Sequence, residues 1–102
     1  MKTYNLAYSP EARNDLRNLA FIISENYKSP LTAVNYLRGI DKELKKLSRS
    51  AESHIIQTRS YFRQYGLNVR RLNYKKMTII YTVVNNTVYI QRIIPASTIA
   101  GI

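Results

Sequence analysis

The chain reads as a single α+β domain: an N-terminal strand, then an antiparallel helical hairpin packed on a twisted antiparallel β-sheet. Three observations predict this. Two Ser-Pro pairs, Ser9-Pro10 and Ser29-Pro30, each open a stretch with apolar residues at helical spacing. After Gly66 the apolar period changes to two and β-branched residues take over. With 102 residues there is material for one hydrophobic core, so the domain is expected to span 1–102.

The elements follow in order. Tyr4, Leu6 and Tyr8 alternate within residues 3–8, which predicts a first strand. Ser9 can cap the free amides of the next helix, Pro10 has its φ preset for the first helical position, and Glu11 complements the positive end of the dipole. Ala12, Leu16, Leu19, Ala20 and Ile23 form one face, so this helix should run to about Asn26, with Asn26-Tyr27-Lys28 closing it. From Ser29-Pro30 a second stripe, Ala33, Leu37, Ile40, Leu44 and Leu47, predicts a helix ending near Ser48, and so short a link makes the two antiparallel. Residues 49–66 read as mostly irregular, with a short strand at His54-Ile55-Ile56 as the one regular option.

Asn68 to Tyr74, Met77 to Val84 and Thr87 to Ile94 then form a three-stranded meander, turning at Lys75-Lys76 and Asn85-Asn86. A two-residue turn at Asn85-Asn86 sets Val83 opposite Val88, Tyr81 opposite Ile90, Ile79 opposite Arg92 and Met77 opposite Ile94 on the helix-covered side. The other side, with Thr78, Ile80, Thr82, Thr87, Tyr89, Gln91 and Ile93, is expected to be a half-exposed binding surface. Pro95 ends the last strand and an uncharged tail, 96–102, follows.

Composition narrows the chemistry. Sixteen Lys/Arg against six Asp/Glu give a formal charge of +10. Residues 1–52 hold nine Lys/Arg and all six acids, whereas residues 53–102 hold seven Lys/Arg and no acid. Such a field attracts polyanions, either nucleic acid or an acidic protein. With no Cys, one His and scattered carboxylates, neither a metal site nor a cofactor is expected. No apolar run approaches the length of a membrane span and no secretory signal opens the chain, so a cytoplasmic location without membrane contact is expected.

Strand, two helices and meander, carried by YSPEARNDLRNLAFII, SPLTAVNYLRGIDKELKKL and NVRRLNYKKMTIIYTVVNNTVYIQRI, resemble the RelE/ParE superfamily of bacterial toxins. The resemblance covers nearly the whole chain. It implies the toxin of a type II toxin-antitoxin system, of the kind that stabilises plasmids, neutralised by an acidic antitoxin protein. Its target is either DNA gyrase, inhibited by binding in ParE-like members, or the ribosome, where RelE-like members cleave mRNA without a metal. RelE-like nucleases resemble one another in a pair of basic residues two apart on the second strand, an Arg shortly before the hairpin Tyr and another after the last strand. Aligned at Leu72 and Tyr81, those positions hold Val69 and Arg71, Thr78, and Thr98, and the further catalytic Tyr of some members has no counterpart up to Ile102. Only Arg71 keeps its chemistry, as the catalytic candidate if the chain is a nuclease. This tilts the reading toward a ParE-like inhibitor of gyrase. A divergent endoribonuclease, or an inactive relative that only binds its partner, are the alternatives.

Candidate binding residues are Arg70, Arg71, Tyr74, Lys75, Lys76, Ile80 and Tyr89, where cations alternate with apolar and aromatic anchors. Arg70 and Arg71 point to opposite faces of one strand, so one can support the core while the other meets phosphate or carboxylate. Arg92, set on the apolar side by the expected register, must snorkel out or pair with a helical acid, and is structural; Tyr81 is structural too. His54 reads as a polar surface residue. The polar helix faces carry Arg13, Arg17, Arg38, Lys42, Lys45, Lys46 and Arg49, and Asp41 can pair with Lys45 four residues on. In ParE-like proteins the resemblance implies a contact surface for gyrase or antitoxin there; the residues alone read as a solvated face.

Overall fold

Both Ser-Pro pairs start helices in the computed structural model, which describes residues 3–27 and 29–99. The elements are β1 (Asn5–Tyr8), α1 (Pro10–Tyr27), α2 (Pro30–Ser50), β2 (Arg70–Tyr74), β3 (Met77–Val84) and β4 (Thr87–Pro95). Short 3₁₀ segments lie at Ala51–Ser53, Ser60–Tyr65 and Ala96–Thr98. Ser9 Oγ accepts from the Ala12 amide at 2.9 Å and Ser29 Oγ accepts from the Thr32 amide at 3.3 Å, so each serine satisfies one amide the helix leaves unpaired. Lys28 and residues 100–102, which the sequence assigns to the helix end and the tail, lie outside the described residues. No described helix is long and apolar enough to cross a membrane.

The apolar stripes meet as expected. Ala12, Leu19 and Ile23 of α1 and Ala33, Ile40, Leu44 and Leu47 of α2 are buried against Met77, Ile79, Tyr81, Val88, Ile90 and Ile93 of the sheet. Tyr81 is fully buried and its hydroxyl donates to the Ala51 carbonyl at 2.6 Å, which ties the middle of the sheet to the end of α2. Burial holds the Tyr81 phenol well above its ordinary pKa, so it stays a donor.

The sheet runs β1-β4-β3-β2 and is mixed, where a purely antiparallel one was expected: β1 pairs with β4 in parallel. The chain passes from β1 straight into α1, whose first turns continue along the β4 edge. There the Ser9 amide donates to the Ile90 carbonyl (3.0 Å), Ser9 Oγ donates to the Gln91 carbonyl (2.8 Å), and Asp15 Oδ2 accepts from the Ile93 amide (2.9 Å). Ser9 and the Asp15 side chain of α1 thus satisfy an edge that a longer β1 would otherwise have covered.

The hairpin register needs a second correction. Val83 faces Val88 and Tyr81 faces Ile90 as expected, but a bulge between Ile80 and Tyr81 leaves Gln91 without an opposite residue. Beyond it Ile80 faces Arg92, Ile79 faces Ile93, Thr78 faces Ile94 and Met77 faces Pro95. A one-residue shift exchanges the two faces of a strand. Arg92 therefore leaves the helix side, and Ile93 joins the core there.

A third correction concerns the surface opposite the helices, which was expected to be half-exposed. Phe62 from the 3₁₀ segment and Ile99 from the tail cover Val69, Ile80 and Ile94, forming a second small core flanked by Tyr61 and Tyr65. Ile80, Thr78 and Thr82 are buried, and of the expected anchors only Tyr89 stays exposed. The option of a strand at 54–56 reduces to a single bridge between Ile56 and Arg70.

Candidate functional site

The outer sheet face, away from the helices, carries the cations. One row crosses three strands there: Arg71 on β2, Ile80 on β3 and Arg92 on β4. The three have different local surroundings, and these decide what each can do.

Arg92 is engaged. Its Nε and Nη2 donate to the two carboxylate oxygens of Asp15 on α1 at 2.8 and 3.1 Å, a forked pairing. The hydrogen bond to Asp15 raises the Arg92 pKa above its already high value. Tyr61 and Tyr65 stand beside it with their hydroxyls 3.4 Å apart. Burial first, and the hydrogen bond with Tyr61 second, push the Tyr65 phenol up to about 12, so it is neutral at physiological pH.

Arg71 is different. Its Nη1 is buried and has no hydrogen-bond partner among the described residues. A buried guanidinium N–H without an acceptor carries a desolvation cost, which is relieved when the half-buried side chain turns to meet a carboxylate or phosphate. Arg70, one residue earlier and on the opposite face, donates through Nη1 to the Glu52 carbonyl at 3.0 Å and the His54 carbonyl at 2.5 Å. It therefore clamps the 3₁₀ turn after α2. The His54 ring stands edge-on to Tyr81, centroids 6.3 Å apart, on that same side.

The other candidates scatter. Tyr74 lies on the helix side, packed edge-on against Tyr36 of α2 at 5.6 Å. Lys75, in a turn at φ 53°, sets Nζ over the Tyr36 and Tyr74 rings at 5.1 and 5.5 Å. Lys76 is exposed, and its carbonyl accepts from the Ala96 amide at 2.8 Å. Of the expected binding set, then, Arg71 and Tyr89 lie on the outer face with a donor or a ring to offer, while Ile80 is enclosed beneath Phe62. At the positions where RelE-like nucleases carry cations, Val69 is buried in the second core, and Thr78 is buried with its hydroxyl donated to Asn73 Oδ1 at 2.9 Å.

The family model of the ParE toxin of the type II toxin-antitoxin system parDE matches residues 6–100. The chain belongs to the ParE toxin family. Among solved structures, a chain of the chromosomal ParDE toxin-antitoxin system from P. aeruginosa is similar to this ParE-family fold with a TM-score of 0.74 and 18% identity, over 93% of this chain and 98% of that one. A chain of the E. coli DinJ-YafQ complex is similar at a TM-score of 0.49 and 11% identity, over 96% and 99%. No curated protein matches the sequence. Membership of the ParE family agrees with a type II toxin and with the α+β order read from the sequence.

Two residues that organise this ParE-family site escaped sequence reasoning. Asp15 falls between Asn14 and Leu16 in α1, where an acid at the edge of an apolar stripe looks like ordinary helix surface. Phe62 was visible as the one Phe in an aromatic cluster with Tyr61 and Tyr65, a signal that could have pointed to a buried plug.

Proposed function

We propose that this chain inhibits growth by binding DNA gyrase, and that an acidic antitoxin neutralises it. The observation that carries the reading is the separation of the cations. Metal-free RNA cleavage needs several positive groups converging on one phosphate, together with a base and an acid. Here Arg92 is engaged by Asp15, Arg70 by two backbone carbonyls, and positions 69 and 78 are apolar or hydroxylic and buried. That leaves Arg71 as a single donor, which suits the capture of one acidic group better than catalysis.

For the antitoxin, the half-buried Arg71 guanidinium supplies a charged hydrogen bond and Tyr89 an exposed aromatic anchor. The +10 charge speeds encounter with an acidic tail. The test uses purified chain in two assays. Gyrase supercoiling is expected to be inhibited, and programmed ribosomes are expected to yield no codon-dependent mRNA cuts. Cuts that disappear in Arg71→Ala would overturn the reading and make the chain an endoribonuclease. In surface binding kinetics with the cognate antitoxin, Arg71→Ala should weaken affinity about tenfold, the size of one charged hydrogen bond. Tyr89→Ala should act mainly on dissociation.

A further inference from the structure

On the side of α2 that faces away from the sheet, five cations stand in one stripe: Arg38, Lys42, Lys45, Lys46 and Arg49. All five are exposed. Lys45 pairs with Asp41 at 2.8 Å and Lys46 with Glu43 at 3.3 Å, whereas Arg38, Lys42 and Arg49 have no carboxylate partner among the described residues. The last four cations of the stripe, Lys42 to Arg49, line a shallow depression of about 460 Å³ together with Ser50. Like charges recur at three- and four-residue spacing along this face (42 and 45, 38 and 42, 42 and 46, 45 and 49, 46 and 49), an arrangement that works against an isolated helix. A solvated face would gain nothing from it; a polyanion laid along it would add an attraction to each cation that offsets the repulsion between them.

We propose that this face of α2 binds the phosphate backbone of duplex DNA without reading sequence. The stripe from Arg38 to Arg49 extends about 16 Å along the helix axis, the length of about five base steps of a duplex. Carried on one uninterrupted helix, it matches a regular row of phosphates. Two features favour duplex DNA over an acidic protein or a single strand. The exposed apolar residues of α2, Leu31 and Val34, lie at its other end, so the stripe lacks the buried anchor on which protein interfaces depend. It also contains no aromatic ring on which unpaired bases could stack. Because the buried face of α2 packs on the inner side of the sheet, the stripe and Arg71 lie on opposite sides of the molecule, and an antitoxin held at Arg71 leaves the stripe open. The inference stands apart from the identity of the toxin's target.

Fluorescence anisotropy with a labelled 20-base-pair duplex of arbitrary sequence, titrated at several salt concentrations, tests it. The parent chain should bind with a log-log salt slope of about −3 to −5, one unit for each phosphate contacted. The triple variant R38Q/K42Q/R49Q, with its fold checked by circular dichroism, should lose at least about tenfold in affinity at low salt and two to three units of slope. The control R59Q/R63Q/K76Q removes the same charge elsewhere and should retain most of both. Equal losses in the two variants would overturn the proposal, since net charge alone would then suffice. Tighter binding to a single strand of the same length, or to polyglutamate, would overturn it in favour of another partner class.

Discussion

Replacing Asp15 with alanine is expected to destabilise the protein by about 2–3 kcal/mol, below the range for a fully buried ion pair because the Arg92 side chain keeps 34% of its exposure. Two groups lose a partner at once. The Arg92 guanidinium loses both carboxylate contacts, and the Ile93 amide, on the edge of β4, loses its acceptor. For a domain of this size the melting temperature should fall by roughly 10–20 °C. Asp15→Asn keeps an oxygen for the Ile93 amide but removes the charge, so it should fall between parent and Asp15→Ala. Urea unfolding of the three proteins gives the comparison. An Asp15→Ala protein within about 0.5 kcal/mol of the parent would mean that the β4 edge is held by Ser9 alone.

Gly39→Ala is expected to reverse the usual benefit of alanine in a helix. Alanine normally gains about 1 kcal/mol over glycine at such a position. Here a Cβ would stand 2.7 Å from Tyr74 Cζ and overlap its hydroxyl. The ring has little room to yield, with Tyr36 edge-on and the Lys75 ammonium above it. Overpacking of this kind costs about 1–3 kcal/mol, so against that gain the net result should be a loss of up to about 2 kcal/mol. In a Tyr74→Ala background the obstacle is gone, and Gly39→Ala should become stabilising. The sign change, read from a double-mutant cycle of denaturation midpoints, is the critical outcome. Loss of the same size in both backgrounds would show that Tyr74 is not what excludes a side chain at 39.

Much of the frame was legible because local chemistry and tertiary structure agree in it. Ser9-Pro10 and Ser29-Pro30 announce helix starts through the amides they cap, and both do so in the structure. Asn85, placed at the hairpin turn, adopts φ 56°, a conformation asparagine tolerates. The illegible parts depend on contacts distant in sequence. Nothing near Gln91 announces a bulge, since its stabilising partners are Ser9 and Thr82. The buried state of Ile80 follows from Phe62 and Ile99, eighteen residues before it and nineteen after, in stretches with no periodic pattern. Arg70 and Arg71 look equivalent in sequence. Only the turn after α2 distinguishes them, by offering carbonyls to one and none to the other.

The unpaired Gln91 sets the parity of everything after it. Before the bulge the even-numbered residues of β4, Val88 and Ile90, face the helices; after it the odd-numbered ones do, beginning with Ile93. Were the bulge to close with Gln91 kept in the ladder opposite Ile80, Arg92 would turn inward and Ile93 outward together, separating Asp15 from both of its partners. The spare residue, rather than any one side chain of the strand, thus decides which face each later residue takes.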